Sequence, residues 1–208
     1  MCDAVELGFG RVLARPDAPV RYVYFPQTAF ISLIAPSQGG ATLEVGLVGN
    51  EGVLGASIVL GVDGAPLHAV VQGAGSALRL PAAGFRRALA RRPALRLLLL
   101  NYSYVLFRQL AQTAACTQQH ALEARLARWL LMTEDRACGA VLHLTQQFLA
   151  GMLGVRREGV THAAGTLRAR RLIRYQRGEI RVLDRRGLEA AACRCYALDK
   201  RLYRRLLA

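Results

Sequence analysis

The 208-residue chain has little that would tie it to a membrane. Its longest apolar run, Leu95 to Leu100, is interrupted by Arg96, and a span needs ~18 consecutive apolar residues. The first residues, MCDAVELGFGR, lack the basic start and apolar stretch of a secretory leader, so a cytoplasmic protein with no membrane partner is expected. Cysteine is sparse: Cys2, Cys116, Cys138, Cys193 and Cys195 form an odd, scattered set of five, which excludes a disulfide framework. Cys193-x-Cys195 has no second Cys or His pair at zinc-finger spacing. It reads as small residues on a helix face, and no metal or cofactor is expected. Catalytic constellations are also missing. There is no Ser/His/Asp or Cys/His set, no paired carboxylates in a Gly-framed pocket and no phosphate loop, and His68, His120, His143 and His162 are dispersed. The expectation is a protein that is not an enzyme.

What the chain does have is positive charge, unevenly spread. The net charge is +14. Residues 139–208 hold 15 Lys and Arg against 5 Asp and Glu, a net +10, while residues 1–138 hold 13 against 9, a net +4. Local positive charge favours a polyanion, because neutralised phosphates release condensed counterions. The basic residues form no single amphipathic membrane helix with aromatics opposite. With 53% hydrophobic residues, the chain also has enough apolar material for a core.

Three regions follow from the pattern. In residues 1–92, short β-rich runs (VRYVYF, AFISLIA, TLEVGLV, HAVVQG, SALRLP) alternate with Gly and Pro breakers, as in a sandwich or small barrel. Ala83 to Ala90 then reads as a short helix. In residues 93–137, Pro93 opens a long helix, with no Pro or Gly from Ala94 to Ala137. Its heptad-spaced stripe is Leu95, Leu99, Tyr102, Leu106, Gln109, Thr113 and Cys116. That stripe either packs on the N-terminal domain or forms a coiled-coil-like homodimer seam; the seam is the expectation, weakened by Gln109 and Thr113. Glu134 to Ala140 marks a junction, and residues 138–208 form a basic domain ending in a helical segment, Leu188 to Leu207.

Within that basic domain, Thr145 is a good N-cap for a helix whose apolar face is Phe148, Leu149, Met152 and Leu153. Gly154 permits a sharp turn, and Val155 can lock a second helix that starts near it. That helix would bury Val160, Ala163, Ala164 and Leu167. Its opposite face carries Arg157, Glu158, Thr161 and His162. LIRYQRGEIRVL alternates on either side of Arg177-Gly178 and reads as a hairpin. Two helices, a tight turn and a hairpin in a basic domain describe a helix-turn-helix whose second helix enters the major groove of double-stranded DNA. Arginine there matches guanine O6 and N7, and glutamate matches the cytosine amine. A solvated polar face is the bland alternative; a sequence-tolerant architectural DNA-binding protein is the functional one.

At these residues the chain resembles the Crp/Fnr family of bacterial transcription regulators. LTQQFLAGMLGVRREGVTHAAGTLRARRLI with RGEIRVLDRRGLE looks like that family's winged helix-turn-helix. RYVYFPQTAFISLI with EVGLVGNEGVLG is similar to its cyclic-nucleotide-binding-like β-roll, and HALEARLARWLL resembles the end of its dimerisation helix. The resemblance implies an α+β protein: an N-terminal β-roll (jelly roll), a long dimerisation helix and a C-terminal winged helix-turn-helix that binds palindromic DNA as a homodimer. RNA polymerase is a further partner it allows. Arg157 and Glu158 fall on the family's base readers, and His162 where cyclic-AMP receptors carry a second arginine. Gln146 and Arg156 fall on positions near phosphates. Thr145, Arg174 and Arg177 are further phosphate candidates. Gly159 replaces a hydroxyl residue. In the roll, Ala56 stands for a ribose-binding Glu and Leu67-His68 for an Arg-Ser, so cyclic AMP is not an expected effector. Cys2 alone does not match the iron–sulfur branch, nor a lone His68 the haem branch. The family's helix ahead of the roll is expected to be short or absent.

Overall fold

The computed structural model describes residues 2–35, 42–137, 142–176 and 178–207. Seven antiparallel strands build the N-terminal roll: β1 (Asp3–Leu7), β2 (Val12–Ala14), β3 (Tyr22–Pro26), β4 (Phe30–Ala35), β5 (Leu43–Val48), β6 (His68–Gly73) and β7 (Gly75–Pro81). They form two sheets, ordered β1-β7-β3 and β2-β6-β4-β5. The five β-rich runs of the sequence are β3 to β7. Strands β1 and β2 come from a stretch too short and too exposed to declare a period; β1 is held by pairing with β7, Asp3 opposite Arg79 to Leu7 opposite Gly75. Alternating side chains fill the interior, among them Val23, Ile31, Leu47, Val48, Ala69 and Val71.

One carboxylate lies inside this apolar filling. Glu44 on β5 is buried and accepts hydrogen bonds from Ser32 Oγ (2.6 Å) and from Trp129 Nε1 (2.8 Å). Ser32 also bonds Gln72. Burial pushes the Glu44 carboxyl up to about 7, against the pull of these two donors and of Arg136 and Arg128.

Helix α1 (Ala82–Arg91) leads to α2 (Pro93–Gln119), which stops at His120. His120 and Ala121 are both extended, and α3 (Leu122–Glu134) starts anew. No proline or glycine marks this break. It exists because α3 turns away to bury Leu126, Ala127, Leu130 and Leu131 in the core that it shares with the helices following it. The turn between helices thus falls ahead of Glu134 to Ala140, where the sequence pattern suggested a junction.

The seven-residue stripe expected as the dimer seam requires a correction. Leu99, Tyr102, Gln109 and Cys116 are buried within the chain itself, and Leu95, Leu106 and Thr113 are half-buried. Gln109 Oε1 accepts from Leu47 N of β5 (3.3 Å), and Thr113 Oγ1 from Arg128 (3.3 Å). This is the face that packs on the roll and on the C-terminal helix. Helix α2 has a second apolar stripe, Leu97, Leu100, Tyr104 and Phe107, and this one faces outward, with Leu97 62% and Phe107 65% exposed. Periodicity detects such stripes but does not say which neighbour covers each.

Beyond α3 come β8 (Leu142–His143), α4 (Gln146–Leu153), α5 (Arg157–Ala169), β9 (Ile173–Gln176), β10 (Glu179–Val182), α6 (Arg185–Ala191) and α7 (Cys195–Leu207). Strands β8-β10-β9 form a small sheet. The segment expected as one C-terminal helix is two, broken around Cys193. Helix α7 folds back on α2. Arg128 and Asp199 form a buried ion pair there (2.8 Å), and Arg136 at the end of α3 reaches Glu51 of the roll (2.7 Å) while lying over the Tyr203 ring.

Candidate nucleic-acid interface

Helix α4 begins as its sequence dictates: Thr145 Oγ1 accepts from Phe148 N (3.1 Å), satisfying one of the free first-turn amides. It ends at Gly154, which is left-handed (φ 64, ψ 42). A side chain there would carry a backbone penalty and would also crowd Leu43 of β5. Arg125 Nη2 donates to the Leu153 carbonyl (2.6 Å), closing off the last turn. Helix α5 starts at Arg157 with Arg156 as its N-cap, two residues past Val155. Val160, Ala163, Ala164 and Leu167 are buried, as their spacing requires. Gly159 now has a reason: a Cβ would lie 3.0 Å from Leu122 Cδ2, so its smallness lets α5 meet the start of α3.

The other face of α5 is open. Arg156, Arg157, Glu158, Thr161 and His162 are all exposed. Thr161 Oγ1 donates to Gln146 Oε1 (2.8 Å), tying the front of α4 to the front of α5 and leaving the Gln146 amide nitrogen turned to other partners. A cavity of about 450 Å³ runs between α5 and the hairpin. Its walls include Thr145, Gln146, Arg157, Thr161, Arg168 and Tyr175. Tyr175 donates its hydroxyl to the Leu144 carbonyl (2.9 Å). Burial raises its phenol, while Arg157 nearby pulls the other way.

The structure therefore brings Thr145, Gln146, Arg157 and Thr161 into one groove, and sets Arg156, Glu158 and His162 on the same exposed helix front. Arg174 is exposed on β9, directly opposite Arg181 of β10. Arg177 lies outside the described residues. Two contributors were missed. Arg168 is eleven residues, about three turns, beyond Arg157 and so on the same face; the spacing was legible. Arg181 needed the hairpin register before its pairing with Arg174 could be seen.

A second cavity, about 690 Å³, lies in the roll. Its wall includes Ala56 and Leu67, and from α2 Ser103, Leu106, Phe107 and Leu110, and is mostly apolar; Arg15, Asp17 and Arg21 contribute from the β2–β3 connection. Elsewhere, Cys193 and Cys195 do have a second pair, contrary to the reading of Cys193-x-Cys195 as unpartnered. Cys116 and His120, one turn apart at the end of α2, meet them, with one ligand atom from each of the four lying within 4.8 Å of the others.

Residues 124–191 match the family of Crp-like helix-turn-helix domains. Solved structures are similar over most of the chain. FixK2 from Bradyrhizobium japonicum has a TM-score of 0.77 at 16% identity, covering 93% of this chain and 98% of that one. TTHA1359, a CRP/FNR-family transcriptional regulator from Thermus thermophilus, has 0.72 at 23% identity, covering 91% and 98%. TTHB099, a CRP-family transcriptional regulator from the same organism, has 0.74 at 18% identity, covering 90% and 96%. No curated protein sequence matches. No helix among the described residues is long and apolar enough to cross a membrane.

Proposed function

The chain is a DNA-binding transcription regulator of Crp/Fnr type, and from that premise we propose that it binds palindromic DNA as a homodimer, reading bases with Arg157, Glu158, Thr161 and His162. The observation that carries this is the front of α5: four polar side chains exposed together, on a helix locked from behind by buried alanines and from the side by Gln146. Arg156, Thr145, Gln146 and the wing arginines Arg174 and Arg177 lie on either side of them in sequence and suit phosphates, which position the protein without reading sequence. Arg168 and Arg181 join that set.

The second copy sits on the outward stripe of α2. Leu97, Leu100, Tyr104, Phe107, Ala111 and Ala114 recur at alternating spacings of three and four and are exposed. A self-complementary helix face of this kind suits a two-fold axis, and its exposed leucines and aromatics would otherwise be an unsatisfied apolar patch. The roll does not take cyclic AMP or cyclic GMP: Ala56 and Leu67 offer no partner to a phosphate or ribose, and a buried phosphate without one is poorly compensated. A saturable micromolar isotherm with either nucleotide in calorimetry would overturn that part.

Selection of binding sites from random duplexes tests the main reading. The expected outcome is enrichment of a palindrome with half-sites one helical turn, ~34 Å, apart. Recovery of unselected sequence would favour a sequence-tolerant architectural protein.

A further inference from the structure

We propose that Cys116, His120, Cys193 and Cys195 form a closed tetrahedral site for a thiophilic divalent cation, zinc, that staples the end of α2 to the segment joining α6 and α7. The geometry carries the assignment. Cys116 Sγ lies 3.5 Å from Cys193 Sγ, Cys195 Sγ lies 3.7 Å from His120 Nδ1, and all four ligand atoms fall within 4.8 Å of one another. Zinc held ~2.3 Å from sulfur and ~2.0 Å from nitrogen needs ligand atoms about 3.5–3.8 Å apart, so a small contraction closes the tetrahedron. Three thiolates and one imidazole are a soft set that selects zinc over magnesium or calcium. The three cysteines are buried, and half-exposed His120 gives an entry path.

The surroundings suit an occupied site. Gln112 Nε2 donates to Cys195 Sγ (3.0 Å), an outer bond that orients a thiolate ligand. Three thiolates and a zinc ion leave one net negative charge, and the guanidiniums of Arg125 and Arg128 lie close enough to feel Cys116 and Cys193. Buried cysteines are often plain small apolar residues. Here, though, three of them converge on one histidine from two separate parts of the chain, with the histidine at the C-cap of α2.

The position of the site gives it a consequence, which rests on the DNA-binding reading above. His120 is the residue at which α2 ends and the chain turns into α3. Arg125, beside the site, is the residue that caps α4 at Leu153. A bound ion would fix the angle between the dimer helix and the reading head, and hence the spacing of the two heads on DNA.

The test uses the full chain, purified reduced, stripped with a chelator and titrated with Co(II). One equivalent per protomer should produce the intense visible bands of a tetrahedral thiolate site, and Zn(II) should abolish them. Three fewer thiols should react with a thiol reagent in the zinc-loaded protein than in the stripped one. Cys116→Ser and Cys193→Ser should lose the bands, while His120→Cys should keep them with more thiolate character. An absent or octahedral spectrum in the folded wild-type chain would overturn the site, as would bands that persist in both serine variants. So would a Cys116–Cys193 disulfide found by mass spectrometry together with no metal uptake after reduction. Stripping should weaken binding to the selected palindrome at least tenfold. If metal binds but that affinity is unchanged, the site stands and its coupling to DNA falls. If no palindrome is ever selected, the DNA reading fails while the spectra still decide the metal.

Discussion

The two ends of this molecule treat polar groups in opposite ways. In the roll they are turned inward: Glu44, Ser32 and Gln72 are buried and bonded to one another, and Glu44 reaches out only to Trp129 of the next helix. In the C-terminal domain they are turned outward: Arg157, Glu158, Thr161 and His162 stand exposed on a helix whose hidden side is alanine, valine and leucine. An inward polar group sets stability and coupling, because it has been taken from water and must be satisfied. An outward one contributes little to folding and is available to a ligand. A substitution in each region should therefore move a different measurement.

The largest effect is expected at the reading face. Arg157→Ala loses a base contact in each half-site, roughly 1–3 kcal/mol apiece, so the complex with the selected palindrome should weaken by about 2–6 kcal/mol. Binding to random DNA, governed by phosphates, should change far less, and the melting temperature hardly at all. A salt titration on both duplexes checks this; equal losses on both would make Arg157 a phosphate contact and erase the contrast.

The two faces of α2 sharpen the comparison next. Leu99→Ala removes a buried side chain and should cost about 2–5 kcal/mol of stability, seen in denaturant unfolding. Phe107→Glu, on the outward stripe, should leave the fold intact and yield monomers in sedimentation, since like charges would meet across the two-fold axis. If Phe107→Glu remains a dimer, the outward stripe is not the seam.

The inward carboxylate predicts a pH dependence. Folding raises the Glu44 carboxyl from 4.5 to about 7, so the folded state holds its proton more tightly than the unfolded one. Stability should then fall as pH rises from about 4.5 to about 7 and be recovered on acidification. Glu44→Gln should remove that slope and stabilise the chain above pH 7. Trp129 is the single tryptophan and donates to this carboxylate, so its fluorescence should titrate in the wild type with a midpoint near 7 and not in the variant. A flat wild-type profile would mean that Glu44 stays in one protonation state throughout.

The smallest expected effect is at the wing. Arg174→Ala should weaken all DNA about equally and flatten the salt dependence by roughly one unit for one lost phosphate contact. A loss confined to the selected palindrome would move Arg174 to the base readers.

What the sequence determined by itself is the part written in local patterns. Thr145, Gly154 and the Val160, Ala163, Ala164, Leu167 spacing specify two helices and a tight turn, because capping, positive φ and helical burial each act within a few residues. Five roll strands were legible for the same reason. Tertiary structure decided the rest. The face of α2 that packs inward depends on β5 and α7, which meet it from 62 and more residues away in the chain. The break at His120 has no local cause and follows from where α3 finds its core. Cys116 and Cys193 come together across 77 residues, and neither residue's neighbours in sequence carry any trace of the other. Short-range forces leave a record in the sequence that can be read one window at a time; a contact closed by a long loop leaves none until the fold has formed.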